Sequence, residues 1–171
     1  MAAPSTTESL QDLAHRVGAV LFARGWRLVT AESCTGGGVA QAVTDIAGSS
    51  AWFECGFVTY SNAAKHRMLG VSDDTLRQFG AVSSATAEAM ATGALTHSEA
   101  DLAVAITGIA GPGGGSDAKP VGTVWFAWAV RGHPPEACCE QLNGDRVAIR
   151  DAAIRIALEG VADQGEEYDP I

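Results

Sequence analysis

At 171 residues, 47% hydrophobic and 18% charged, the chain is long enough to bury one sizeable core and too apolar to be disordered. Its formal net charge of −9 excludes non-specific nucleic-acid binding, which needs a basic face, but allows a local anion site built from backbone amides. No apolar run approaches the roughly 20 residues of a membrane span, and residues 1–8 have neither the basic nor the apolar stretch of a secretory leader.

In chain order, Leu10, Leu13, Val17, Val20 and Leu21 recur at helical steps and predict a helix over residues 5–24, closed by Gly25. A short strand follows over 26–32. Val39, Val43 and Ile46 share a face of a helix over 37–47, broken by Gly48-Ser49-Ser50. The aromatic-rich stretch 52–60 reads as a strand and 62–69 as a short helix carrying Lys65. Ser72 opens another brief helix ending at Phe79, and the alanine-rich stretch 84–96 is helical. Residues 101–106 are almost wholly apolar, as in a strand buried on both faces. A glycine-rich loop over 107–120 follows, then strands over 121–131 and 136–142 joined by Gly132-His133-Pro134-Pro135, then a helix over 145–160. This alternation predicts a single three-layer α/β domain with a mixed, largely parallel sheet and a late β-hairpin. The domain spans 1–171, with a core over about 8–162 and an acidic tail expected to be loose.

Cys34, Cys55, Cys138 and Cys139 show no C-x-x-C spacing, and His15, His66, His97 and His133 do not pair with them at ligand spacing. The reading is reduced thiols in a cytoplasmic protein, with no metal and no cofactor.

Chemistry gathers at three strand ends: 31–38, 60–65 and 107–119. Ligands collect at such ends in open α/β sheets, and parallel strands would bring all three to one edge. Ser33 stands at a strand-to-helix turn, where the first helical N–H groups lack internal partners and the helix dipole is positive. A hydroxyl there can attack a carbonyl whose oxygen collects those amides. The competing reading makes Ser33 or Thr35 an N-cap and Gly36, Gly37 and Gly38 the means to a tight turn. A nucleophilic serine needs a base. Lys65 suits that role if burial or a neighbouring cation depresses its pKa, with Tyr60 relaying a proton or orienting the amine. Against this stand a solvated helix lysine and a strand-end tyrosine. The glycine-rich loop matches neither a Walker A sequence nor a dinucleotide fingerprint. It either cradles a phosphate through its amides or lets a flat ring approach the backbone. Lys119 is available to an anion and Asp117 to a sugar hydroxyl.

Taken together, Thr30-Ala31-Glu32-Ser33-Cys34-Thr35-Gly36-Gly37, Thr59-Tyr60-Ser61-Asn62 with Lys65, Gly80-Ala81-Val82-Ser83, Val104 to Gly114, Lys119 to Val124, and Gly144-Asp145-Arg146 with Ile149-Arg150 occur in an order that resembles one family. It is the CinA C-terminal domain family, the nicotinamide-nucleotide amidohydrolases. The resemblance implies hydrolysis of the carboxamide of nicotinamide mononucleotide to nicotinate mononucleotide and ammonia, in pyridine nucleotide salvage. It implies catalytic Ser33, Tyr60 and Lys65, with Lys65 as base. Oxyanion and substrate contacts then fall to Cys34, Thr35, Gly36, Gly37, Thr107, Gly108, Ala110, Gly111, Gly113 and Gly114. It further implies metal-free chemistry, a homo-oligomer, no nucleic-acid or membrane partner, and the stand-alone form of the domain. The alternative is a catalytically silent nucleotide-binding regulatory or interaction module.

Overall fold

Alternation along two strands decides the architecture. In Leu102–Gly108 and Thr123–Val130, large side chains (Leu102, Val104, Ile106, Phe126, Trp128) point to one side and Ala103, Ala105, Ala127 and Ala129 to the other. A strand sends successive side chains to opposite faces, so both faces of this sheet are apolar and both must be covered. The structure, a computed structural model, describes residues 8–168.

The chain forms α1 (Leu10–Arg24), β1 (Leu28–Glu32), α2 (Gly38–Thr44), β2 (Phe53–Val58), α3 (Asn62–Leu69), α4 (Asp73–Phe79), α5 (Ser84–Thr96), β3 (Leu102–Gly108), β4 (Thr123–Val130), β5 (Glu136–Gln141) and α6 (Arg146–Glu167). The strands make one five-stranded sheet in the order β2-β1-β3-β4-β5. β1 runs parallel to β2 and β3, while β3–β4 and β4–β5 are antiparallel. The mixed sheet with a late hairpin is therefore present as expected. α1, α2 and α6 cover the face of large side chains, and α3, α4 and α5 cover the alanine face. Small residues on both sides let α5 lie close to the sheet. Ala87, Ala91 and Ala94 pack there with Met90.

Several boundaries move inward from the sequence expectation, each for a local reason. Residues 5–7 lie outside the described residues. α1 begins at Leu10 because the Ser9 hydroxyl accepts the Asp12 N–H at 3.0 Å. α2 is shorter than the predicted 37–47. Gly37 is left-handed at φ 100°, and at the other end the Thr44 hydroxyl donates back to Ala40 O. β4 starts at Thr123 because Val121 and Gly122 still belong to the loop, where the Gly122 N–H donates to Ile109 O at 2.8 Å.

The acidic tail expected to be loose over 163–171 is corrected for 163–167, while 169–171 lie outside the described residues. α6 runs on through Gly160 to Glu167, with Val161, Ala162, Gln164 and Gly165 buried. Gly160 does not end the helix because it lies against the Trp128 ring, which a Cβ would strike. Trp128 Nε1 donates to Ala157 O at 3.0 Å and fixes that contact. Beyond it, Arg24 reaches the Glu166 and Tyr168 carbonyls, and the Tyr168 hydroxyl donates to Glu136 at 2.6 Å.

Candidate active site

Because β1, β2 and β3 are parallel, their carboxyl ends share one edge, and Ser33, Tyr60 and Thr107 meet there as the topology requires. Ser33 directly follows β1. Its N–H donates to Ile106 O at 2.9 Å, which pins it to β3. The Thr59 N–H donates to Glu32 O at 2.9 Å and ties the end of β2 to the same place. α3 starts immediately after, capped by Ser61, whose hydroxyl accepts the Ala64 N–H. That start turns Lys65 inward, where only 1% of it is exposed. Its Nζ donates to Ser33 Oγ at 3.0 Å and to Thr59 O at 2.9 Å. Among the described residues no carboxylate pairs with it, and burial pushes its pKa below the usual lysine value. A lysine so placed favours the neutral amine. The 3.0 Å contact can then run in reverse, with the serine hydroxyl donating to the nitrogen lone pair. Burial pushes the neighbouring Cys34 thiol up to about 11, which keeps the sulfur protonated near neutral pH and leaves Ser33 without a thiolate competitor.

The turn after Ser33 differs from the sequence expectation in one respect. The N-terminus of α2 is not open to a ligand, because the Glu32 carboxylate, fully buried, accepts the Val39 N–H at 2.8 Å and the Ala40 N–H at 3.1 Å. The Gly36 and Gly38 N–H groups close the turn onto Ser33 O and Thr35 O, both at 3.0 Å. Among the described residues, the Cys34, Thr35 and Gly37 amides donate to no other residue. The Thr35 hydroxyl, likewise buried, is also unpaired.

A cleft of about 280 Å³ opens above Ser33 and Lys65. Of the residues expected there, Ser33, Cys34, Tyr60, Lys65, Thr107, Gly108, Ala110, Gly111, Gly113 and Gly114 line it. Thr35, Gly36 and Gly37 do not. Thr107 presents backbone more than hydroxyl, since its Oγ1 donates to Ala81 O at 2.7 Å and holds the 80–83 link against β3. Tyr60 stands at the rim, 61% exposed, and its hydroxyl accepts from Arg146 Nη2 at 2.7 Å. Neither Ser33 nor Lys65 is its hydrogen-bond partner. Arg146 Nη1 also donates to Gly111 O at 2.6 Å, joining the rim tyrosine to the glycine-rich loop. Lys119 is turned away from the cleft, where its Nζ donates to Phe79 O at 2.9 Å at the C-terminal end of α4. Asp117 does not line the cleft either. Among the described residues, no group of three or more His, Cys, Asp or Glu is arranged to hold a metal ion.

The family model of the CinA C-terminal domain matches residues 10–164. The chain belongs to the CinA C-terminal domain family. This CinA domain is 56% identical over 154 residues to a protein of Escherichia coli K12 named nicotinamide-nucleotide amidohydrolase, covering 90% of this chain and 93% of that one. A Pseudomonas putida protein of the same name is 50% identical over 160 residues, covering 94% and 99%. A crystal structure of a CinA superfamily protein from Klebsiella pneumoniae superposes with a TM-score of 0.90 at 44% identity, covering 94% of this chain and 99% of that one. A competence/damage-inducible protein from Agrobacterium tumefaciens gives 0.87 at 50% identity, covering 90% and 94%.

Sequence reasoning about this CinA domain left several cleft residues unassigned, among them Asn62, Val82, Ile109 and Arg146, and also the two charges that hold the Ser33 turn, Glu32 and Arg150. Glu32 had a readable signal, an acidic residue just ahead of a helix start. Arg146 and Arg150 stand in the last motif of the family resemblance, but nothing local gave them a role, because their partners lie 86 and 116 residues away.

Proposed function

We propose that the protein hydrolyses the carboxamide of nicotinamide mononucleotide to nicotinate mononucleotide and ammonia, with Ser33 as nucleophile and Lys65 as its base. The observation that carries this reading is the 3.0 Å contact between Ser33 Oγ and the buried Lys65 Nζ in a cleft of about 280 Å³ walled by the glycine-rich loop. The names of the relatives from Escherichia coli and Pseudomonas putida support the substrate.

The neutral Lys65 amine takes the Ser33 proton as Oγ bonds to the amide carbon. The carbonyl oxygen becomes an oxyanion beside the unpartnered amide of Cys34. Removing one such donor typically costs about 3 kcal/mol of transition-state stabilisation. Lys65 then passes the proton to the leaving nitrogen. The C–N bond breaks, ammonia departs, and an ester remains on Ser33. Water adds to that ester, giving its proton to Lys65, which returns it to Ser33 Oγ as the acid product leaves. The glycine-rich loop walls the nucleotide side, and Arg146 at the rim offers the remaining N–H groups of its guanidinium to an anion. Tyr60, bound to Arg146, orients the substrate at the rim. This activity fits a salvage step that recovers the pyridine nucleotide as its acid.

The test is incubation of purified protein with nicotinamide mononucleotide, following both products. Equimolar ammonia and nicotinate mononucleotide are expected. Binding seen by calorimetry with no release of either would make the protein a nucleotide-binding module instead.

A further inference from the structure

Consecutive backbone amides without a protein partner are uncommon in folded proteins and call for an explanation. Those of Cys34 and Thr35 follow Ser33, and Cys34 lines the cleft. The Glu32 carboxylate does not accept from them, since it takes the Val39 and Ala40 N–H groups at the start of α2. What holds them is on their carbonyl side. In a trans peptide the N–H and C=O of one unit point in opposite directions, so whatever grips the carbonyl aims the amide. Ser33 O, in the unit that carries the Cys34 N–H, accepts the Gly36 N–H. Cys34 O, in the unit that carries the Thr35 N–H, accepts from Arg150 Nε at 3.1 Å, and Thr35 O accepts from Nη2 of the same guanidinium at 3.2 Å.

Arg150 sits in the second turn of α6 and crosses to this turn from the opposite end of the chain. Its Nη2 lies beside Gly36, which is left-handed at φ 59°, and a Cβ there would stand 3.4 Å away, in ordinary contact. Among the described residues no carboxylate is bonded to Arg150, and its planar fork serves these two carbonyls. A cation on a peptide carbonyl also polarises the amide of that unit, here the Thr35 N–H next to the Cys34 N–H.

We infer that Arg150 is a positioning residue for the amidase reaction: by clamping the Cys34 and Thr35 carbonyls, it holds the turn that presents Ser33 and the oxyanion-binding amide. The inference rests on the proposed Ser33–Lys65 chemistry. Arg150 does not touch the nucleophile and does not itself line the cleft, which it reaches only through the Cys34 carbonyl, so its removal loosens the transition-state geometry more than the ground-state complex. Misplacing a catalytic turn by about 1 Å costs on the order of 100-fold in rate.

The test compares wild type with Arg150→Ala and Arg150→Lys on nicotinamide mononucleotide. A second reaction on each protein uses a fluorophosphonate, in which Ser33 Oγ bonds to phosphorus, fluoride leaves and Lys65 takes the serine proton. For Arg150→Ala, kcat is expected to fall about 10- to 100-fold with KM changed less than about threefold. Labelling should slow in parallel, and added ethylguanidinium should partly restore both rates. Arg150→Lys keeps the charge without the fork and should fall between the two. Retention of the wild-type melting temperature by Arg150→Lys separates positioning from unfolding. A variant that turns over and labels like wild type overturns the inference, as does one whose loss is all in KM. Wild-type protein that neither releases ammonia nor labels overturns the Ser33–Lys65 reading itself, and the clamp with it. Labelling without ammonia release overturns only the substrate, and the labelling rates then decide the clamp.

Discussion

With its nitrogen 3.0 Å from Ser33 Oγ and its stem buried, Lys65 serves the chemistry at the expense of the fold. Desolvation lowers its folded-state pKa below the 10.5 of a free lysine. Between that lowered value and 10.5 the unfolded chain binds more protons than the folded one. The Lys65 contribution to stability therefore rises with pH across this window, and below it the burial penalty is felt in full. Lys65→Met should thus melt at a higher temperature than wild type at pH 7, with the difference shrinking as pH nears 10.5, while turnover falls about 10²- to 10⁴-fold. Thermal melts of both proteins from pH 6 to 10.5 check this. A variant less stable than wild type at pH 7 would contradict the assignment of the lysine as a desolvated base. The same pKa gives kcat/KM an acid limb whose midpoint lies below 10.5, with activity rising as the amine loses its proton. Tyr60 is tested by a different split. Its hydroxyl is bound to Arg146 rather than to Lys65, so Tyr60→Phe should raise KM more than it lowers kcat. A drop confined to kcat would restore the proton relay that the sequence suggested.

At the scale of elements, the site depends on how closely α5 approaches α3. Gly93, in the third turn of α5, lies against the carbonyl of Leu69, and a Cβ there would overlap that oxygen. Leu69 closes the helix that carries Lys65. Gly93→Ala should cost about 1–3 kcal/mol, seen as a lower urea midpoint at unchanged m-value. It should also lower kcat, because α3 must shift to make room. An unchanged midpoint would show that the contact yields without cost. Most elements were legible from periodicity and turn residues such as Ser72, and the structure adds Ser61 and Gly70 as the caps of α3. The end of α6 was not. Gly160 looks like a terminator in sequence and is a packing residue in space, where the Trp128 ring takes the place of its missing side chain.

For the whole molecule, the layer order puts the chemistry where it is. Three parallel strands end at one edge, and the loops that follow them supply Ser33, Lys65 and the glycine-rich wall. That convergence could be foreseen from the sequence, given parallel strands. Which amides would be free could not. It depends on the Glu32 carboxylate reaching forward over the turn and on Arg150 arriving from the far end of the chain. The measurement that tests the account most directly is product release from nicotinamide mononucleotide by wild type and Ser33→Ala, each shown to be folded by its melting transition. The account predicts equimolar ammonia and nicotinate mononucleotide from wild type, with release by Ser33→Ala lower by at least about 10³-fold. Comparable release from both would contradict Ser33 as the nucleophile.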